Sequence, residues 1–457
     1  MDQPHLGGFG DARLQCVGGA LLAAMQRKRT MCVHALAEGR NQARQFQRFL
    51  DNDAVSLREM LVHAGHLTGQ RAAGRHILAI SDTSERNFSA HRGRKRGFGT
   101  VGNGTDLGVF VHPVVAVDAE QGGLIGLVGA EVMNRTGGMV TDRKQREADD
   151  KESRRWLAGT ETAAAMLGDA AMITMVEDRE GDIYDQFARR PATVHLLVRA
   201  AQDRSLATPL PLFAHCAGWR ERTRYTVKVP PQAGRPARIA VVALRFGEVV
   251  LKRPDTAAAT LPATLPLRVV DVTEVDPPNP KERVRWCLLT THAVPTLAAA
   301  QRIVGWYQRR WIIEQVFRTL KSAGVEVESS QIIRPANLLK LVMVALIAAV
   351  RVMQLVLARD GSTGQSLSDG AETADLPALR AINATLEGRT EKLKNPFDPI
   401  SLAWLAWIVA RLGGWSGYTS RGYRPAGPKT IARGLKQLDP MVAGWNLANR
   451  SALLGLP

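Results

Sequence analysis

Cysteine is scarce in this chain. Its four, Cys16, Cys32, Cys216 and Cys287, are isolated from one another. With no Cys-x-x-Cys pair and no histidine at zinc-ligand spacing, a zinc module and a disulfide framework are both excluded, and a reducing cytoplasm fits best. Long apolar runs are also missing. The most apolar, Leu341 to Val350, is bounded by Lys340 and Arg351 and falls well short of the ~20 residues needed to span a bilayer. A buried core helix is expected there, and no membrane partner. The N-terminus, MDQPHLGGFGDARLQ, lacks a basic-then-apolar leader. No phosphate-cradling P-loop occurs, so no nucleotide cofactor is expected. Internal repeats are absent as well.

Acidic residues are in deficit: 43 Asp and Glu face 60 Lys and Arg, a formal net charge of +17. The excess is spread along the chain, and it implies a polyanionic partner, with nucleic acid ahead of an anionic membrane. A length of 457 residues with 45% hydrophobic content suggests two to four folded domains.

The pattern along the chain divides accordingly. Residues 1–65 read as a small helical, basic module suited to DNA, with Arg27, Lys28 and Arg29 clustered and Asp53 or Ser56 placed to cap a helix. From residue 76 the periodicity changes. HILAISD is a strand ending in Asp82, and LGVFVHPVVAVD and LIGLVGAEVM form a hairpin. A charged helical stretch at 143–167 precedes the strand AMITMVED, which ends at Glu177 and Asp178, and then HLLVRA, which ends near Arg199. Residues of about 201–284 read as a β-rich insertion, after which RWCLLTT resumes the core. DGSTGQSLSDGAETADLP, at 360–377, looks like a linker before a last helical region from about 400. The basic loop 91–97 could grip phosphates or be a plain surface loop.

Tyr307, Arg310, Glu314 and Lys321 lie in WYQRRWIIEQVFRTLKSAG. On one continuous helix these spacings fall within an arc of roughly 60°, and the span is ~21 Å at the helical rise. Trp306, Ile312, Ile313, Val316, Phe317 and Leu320 take the opposite, apolar face, while Trp311 and Arg318 project toward the polar stripe. By spacing alone the stripe is either a solvated charged face or a functional surface. The strand and helix order places Asp82 and Asp178 at strand ends and Glu314 on a late helix, an α/β, RNase H-like arrangement in which three distant acids can converge. Three hard oxygen donors suit Mg²⁺ or Mn²⁺, and a pair of such ions serves phosphoryl displacement. Glu177, Glu180 and Asp182 compete with Asp178 for that role.

These residues resemble the DNA transposases of the insertion-sequence-4 family. The family's signature, Tyr, two residues, Arg, three residues, Glu, six residues, Lys, matches Tyr307, Arg310, Glu314 and Lys321 without a gap. The likeness extends to AISDTS around Asp82, EDREGDIYD around Asp178, RWCLLTT at 285–291 and IVARLGG near the C-terminus. The resemblance implies an RNase H-like catalytic core at 66–385 with the β-rich insertion, flanked by helical domains at 1–65 for end binding and 386–457 for dimerisation. It implies that Asp82, Asp178 and Glu314 bind two divalent ions and that Tyr307, Arg310 and Lys321 bind transposon-end phosphates. Trp286 takes the place of an aromatic that stacks on a flipped base, and Trp311 is placed to assist; packing in the core is the competing reading for both. Arg199 resembles a phosphate-binding arginine, offset by one residue, and Arg318 stands where a lysine is usual. The basic loop 91–97 has no counterpart. The implied partners are double-stranded DNA and a second copy of the chain in a synaptic dimer. Another RNase H-like nuclease, such as a junction resolvase, and a catalytically silent DNA-binding regulator are the competing readings.

Overall fold

The computed structural model describes residues 5–89, 97–102, 105–134, 154–229, 236–321, 330, 332–371, 373–417 and 425–453. Four helices open the chain, α1 (Ala12–Lys28), α2 (Val33–Leu36), α3 (Arg40–Asp51) and α4 (Leu57–Ala72). Strands β1 (His76–Ser81), β2 (Ser84–Asn87), β3 (Gly99–Val101), β4 (Asp106–Asp118) and β5 (Leu124–Met133) follow, then α5 (Arg154–Met166), β6 (Met172–Glu177), α6 (Tyr184–Arg189) and β7 (Val194–Arg199). Next come α7 (Leu212–Ala217), β8 (Thr223–Val229), β9 (Arg238–Lys252), β10 (Thr264–Glu274) and β11 (Arg285–Thr290). The remainder is helical: α8 (Leu297–Gln308), α9 (Trp311–Lys321), α10 (Pro335–Ala358), α11 (Leu376–Leu386), α12 (Leu402–Leu412) and α13 (Pro428–Leu453).

Among the described residues, eleven strands join one mixed sheet, ordered β4-β1-β6-β7-β11-β10-β9-β8 through its centre, with β2, β3 and β5 also paired to β4. β1 runs parallel to β6 and β6 parallel to β7, whereas β1 and β4 are antiparallel. The near-continuous apolar runs of β1, β6 and β7 follow from burial on both faces. Leu78, Ile80, Val176 and Leu197 face the cluster that includes Ile303 of α8, Ile313 of α9 and Leu341 of α10. Ile77, Ala79, Met175 and Leu196 face Ala163 of α5 and Phe187 of α6. The strands expected at 76–82, 107–118, 124–133, 171–178 and 195–200 are all present to within a residue or two. The short strands β2 and β3 were not anticipated.

Strands β8 to β10 carry the β-rich insertion, and β10 pairs antiparallel with β11, so the insertion lengthens the central sheet. The N-terminal helices are tied to that sheet and to α10. A Cβ on Gly65 of α4 would stand 2.6 Å from the Val128 carbonyl oxygen, a close approach that only glycine permits. Three residues on, the Thr68 hydroxyl donates to the Leu127 carbonyl at 2.7 Å. Lys340 Nζ donates to the carbonyls of Leu50 and Asn52, both at 2.8 Å. Ser56 caps α4 by accepting from the Glu59 amide at 3.1 Å, as one of the two expected caps.

The buried core helix expected at 341–350 is present as part of a 24-residue helix, which is long and apolar enough by length to cross a membrane but mostly buried among the other elements. One expectation is corrected here. The stretch 360–377 is no loose linker: Asp369 accepts from both Nη atoms of Arg75 at 3.3 and 3.0 Å, and Gln365 Nε2 donates to the Leu124 carbonyl at 3.0 Å. Its Gly, Ser and Asp content serves this packed connection, with Ser366 and Asp369 forming a capping box.

Beneath α8 lies a histidine cluster. The Thr174 hydroxyl sits 2.9 Å from His76 Nε2 and 2.8 Å from His292 Nε2, while His195 stacks on His292 with ring centroids 4.0 Å apart. Trp306 of α8 covers it, 4.7 Å from His76 and 5.1 Å from His292 by ring centroids. Burial, then the neighbouring His195 and His76, pulls the His292 imidazole down to about 3, and burial also lowers His76 and His195. A base whose folded pKa is depressed stabilises the fold above its ordinary value near 6.5, and the contribution is lost as pH falls toward 3. Urea unfolding from pH 7 to 4 is therefore expected to show stability falling by on the order of a few kcal/mol, with His292→Asn flattening the decline. An unchanged slope in that variant would contradict the assignment.

Candidate active site

The register of two parallel strands brings the first two acids together. Ile80 of β1 lies opposite Val176 of β6, so the two parallel strands deliver Asp82 and Asp178, each just past its strand, to the same end of the sheet. The Thr83 amide donates to Asp82 Oδ1 at 2.8 Å. Of the four acids between 177 and 182, three have other duties. Glu177 points into the core, where Gln186 Nε2 and the Ser81 hydroxyl donate to it at 2.7 and 3.3 Å, and burial pushes its carboxyl up to about 8. Glu180 pairs with Arg155 at 2.9 Å. Asp182 does not cap α6: its carboxylate accepts from the Ala201 amide at 2.8 Å and from Arg204 Nε at 2.7 Å, holding the segment after β7. Asp178 alone of the four faces Asp82.

Glu314 arrives on α9, and the way it does so departs from the sequence reading. Residues 306–321 are not one helix. Arg309 and Arg310 interrupt it, and their amides bond three residues back, to the Trp306 and Tyr307 carbonyls at 3.1 and 3.0 Å. The Arg309 guanidinium explains the break. Its Nη1 donates to the Asp118 carbonyl at 3.0 Å and also to that of Ala119, while Nη2 donates to the Glu120 carbonyl at 3.0 Å. The junction is thus fastened to the turn between β4 and β5.

The continuous exposed stripe is corrected with it, because Tyr307 and Arg310 are buried. Arg310 turns inward toward the acids. Nη1 bonds Asp82 Oδ2 at 2.9 Å, Nη2 bonds Glu314 Oε1 at 2.7 Å, and Nη2 lies 3.7 Å from Asp178 Oδ2. The Tyr307 hydroxyl donates to Asp178 Oδ1 at 3.3 Å. One guanidinium therefore touches carboxylates from β1, β6 and α9. Burial pushes the Asp82 carboxyl up to about 6 against the pull of Arg310 and the Thr83 amide, and Asp178 and Glu314 add to the push. Burial also raises the Tyr307 phenol to about 12, helped by Asp178. For Arg310 burial opposes the charge, but Asp178 and the other partners outweigh it and hold the guanidinium above its ordinary value.

The remaining candidates surround this centre unevenly. Arg199 Nη1 is 4.0 Å from Asp178, and its Nη2 donates to the Arg285 carbonyl at 2.8 Å. Trp286, on β11, is half-buried with its ring 6.1 Å from that of Tyr307. Trp311, Arg318 and Lys321 are exposed on α9, whereas Ile312, Ile313, Val316, Phe317 and Leu320 are buried as expected. The basic loop lies, apart from Gly97, outside the described residues. Sequence reading missed Arg309, whose helical position relative to Tyr307 pointed it away from the stripe. It also missed Arg155, whose Nε donates to the Thr83 hydroxyl at 3.1 Å beside Asp82.

Among the described residues no group of three His, Cys, Asp or Glu side chains is set as a ready metal cage; the three acids are spaced around the guanidinium. Their chemistry nevertheless fits a hard cation. Three carboxylates with oxygen donors face two arginines, Arg310 between them and Arg199 4.0 Å from Asp178, which leaves negative charge under-compensated in a partly buried site.

Arg309→Ala is expected to cost about 2–3 kcal/mol in urea unfolding, since it removes charge-assisted bonds to three carbonyls at the α8–α9 junction. A loss below ~0.5 kcal/mol, the usual size of a surface change, would show that the junction does not depend on it.

Residues 110–351 match the family described as Transposase DDE domain. The matched stretch runs from β4 to α10 and contains Asp178 and Glu314, while Asp82 precedes it. As it covers more than half of the chain, this chain belongs to the family of transposases built on a DDE domain.

Proposed function

We propose that the chain is a cut-and-paste DNA transposase that excises a mobile element at its terminal inverted repeats and joins the 3′ ends to target DNA. Family membership gives transposase function, DNA as the partner and a general use of divalent metal. The observation that carries the finer reading is the meeting of Asp82, Asp178 and Glu314 around one cation. The strand order β5-β4-β1-β6-β7 with β4 antiparallel supports an RNase H-like core. Closer kinship to the enzyme of the kanamycin-resistance composite transposon rests on the spacing of Tyr307, Arg310, Glu314 and Lys321.

In this reading Asp82, Asp178 and Glu314 hold Mg²⁺ or Mn²⁺, two ions per site. When bound, such ions activate an attacking oxygen and stabilise the leaving oxygen of an in-line phosphoryl displacement. The protein's own side chains align the DNA. Lys321, Arg318 and Arg199 neutralise backbone phosphates around the scissile bond, with Arg310 and Tyr307 reaching the end from the centre itself. Water attacks one strand, the freed 3′ hydroxyl attacks the opposite strand to give a hairpin end, the hairpin is hydrolysed, and the 3′ hydroxyl then attacks target DNA. Trp286 stacks on a base withdrawn from the duplex, relieving the bend that a hairpin demands, at an unstacking cost of a few kcal/mol. Exposed Trp311 offers a second stacking surface. The helices at 1–65 read the element's ends, and the region 386–457 joins two copies in a synaptic dimer. The enzyme works in the cytoplasm without a nucleotide cofactor.

Glu314→Gln tests this reading. On a duplex containing the element's end it is expected to bind as wild type does and to lose strand cleavage in Mg²⁺ by more than roughly 100-fold, the upper range already seen for residues one shell further from a metal. Cleavage near the wild-type rate would remove Glu314 from the active site.

A further inference from the structure

Arg310 reaches Asp82 and Glu314 at 2.9 and 2.7 Å and Asp178 at 3.7 Å, and its side chain keeps 10% of its exposure. The three acids are more open, at 21%, 33% and 30% for Asp82, Glu314 and Asp178. The guanidinium thus fills the inner side of the acidic centre, while the outer side faces solvent.

We propose that Arg310 is an internal counter-ion that closes this centre to divalent cations until a DNA phosphate draws it away, so that metal loading and DNA-end binding are coupled through one side chain. The inference rests on reading the three acids as cation ligands, and it adds a second duty to a residue otherwise assigned to DNA alone.

The argument is one of competition. A divalent cation seated among the three carboxylates would need the same lone pairs that Arg310 now takes, and two cations a few ångström apart repel. The guanidinium cannot yield by losing its proton, because its charge is fixed in proteins. It must move or remain. Its planar fork suits phosphate as well as carboxylate, so a backbone phosphate is the exchange partner that costs it least. Position favours the exchange: Arg310 sits in the break between α8 and α9, one turn before Glu314, with exposed Trp311, Arg318 and Lys321 continuing along α9. Until the exchange, Arg310 relieves the mutual repulsion of acids drawn from β1, β6 and α9. Afterwards the metal takes over that task. Linkage makes the effect reciprocal: DNA raises metal affinity by the factor by which metal raises DNA affinity.

The test uses the full chain without DNA, titrated with Mn²⁺ and followed by the electron paramagnetic resonance signal of the free ion. Wild type is expected to bind weakly, and Arg310→Gln at least tenfold more tightly. Adding Asp178→Asn to that variant is expected to abolish the gain. If Arg310→Gln binds no more tightly than wild type while Asp178→Asn still weakens binding, the counter-ion role is overturned and the acids remain cation ligands. Should Asp178→Asn leave Mn²⁺ binding untouched in both backgrounds, the ligand assignment itself falls, and this inference with it. Arg310→Lys keeps the charge, so a tenfold gain there would also overturn the proposal. If acid repulsion unfolds Arg310→Gln without metal, thermal melts decide: Mn²⁺ must raise its midpoint by more than it raises that of wild type, and an equal rise counts against the idea.

Discussion

A single guanidinium joins carboxylates that lie 96 and 136 residues apart in sequence, at positions 82, 178 and 314. Much of the architecture can be understood as what that meeting requires. β1 and β6 must run parallel and in a register that makes their last residues level. Helix α9 must start where its first turn overhangs those strand ends, which the Arg309 clamp on the β4–β5 turn secures. Even the sequence crowding around Asp178 fits this demand. Glu177, buried, bonds Ser81 and Gln186, while Asp182 ties down the chain after β7, so the acid between them is held by neighbours that do not compete for its place.

The electrostatics of the molecule work on two scales. Over the whole chain the formal charge is +17, which draws a polyanion from a distance and gives binding that weakens with salt. At the centre the sign reverses, and burial works against that charge by pushing the Asp82 carboxyl up to about 6, a cost that Arg310 partly offsets. A phosphate approaching three carboxylates meets repulsion unless cations stand between them. Arginine supplies one such charge from the protein, and hard divalent ions supply the rest in DDE transposases generally. Under the proposed reading, the same acidity that repels DNA is what would draw a metal to the site.

How much of this could be read from the chain alone depended on whether local pattern or tertiary contact decided the outcome. The strands around Asp82 and Asp178 were legible because burial on both faces demands unbroken apolar runs, and HILAIS and MITMVE are such runs. The helix carrying Glu314 was legible from its helical periodicity, its buried face being Ile312, Ile313, Val316, Phe317 and Leu320. The break at Arg309 was not. No glycine or proline marks it, and its cause is a set of carbonyls nearly two hundred residues earlier in the chain. With that break unseen, Tyr307 and Arg310 were placed on an exposed stripe when the acids in fact draw them inward. The segment 360–377 misled in a related way, since Gly, Ser and Asp serve a packed turn as well as a loose one, and only the distant Arg75 distinguishes the two.

The central claim is that these three acids form one cation site whose present occupant is Arg310. Crystals of the chain grown with Mn²⁺ and a duplex carrying the element's end, measured at the manganese absorption edge, test it most directly. The account predicts anomalous density among the carboxylates of Asp82, Asp178 and Glu314, with the Arg310 side chain turned onto a phosphate. Density elsewhere, with the guanidinium still bonded to Asp82 and Glu314, would contradict it.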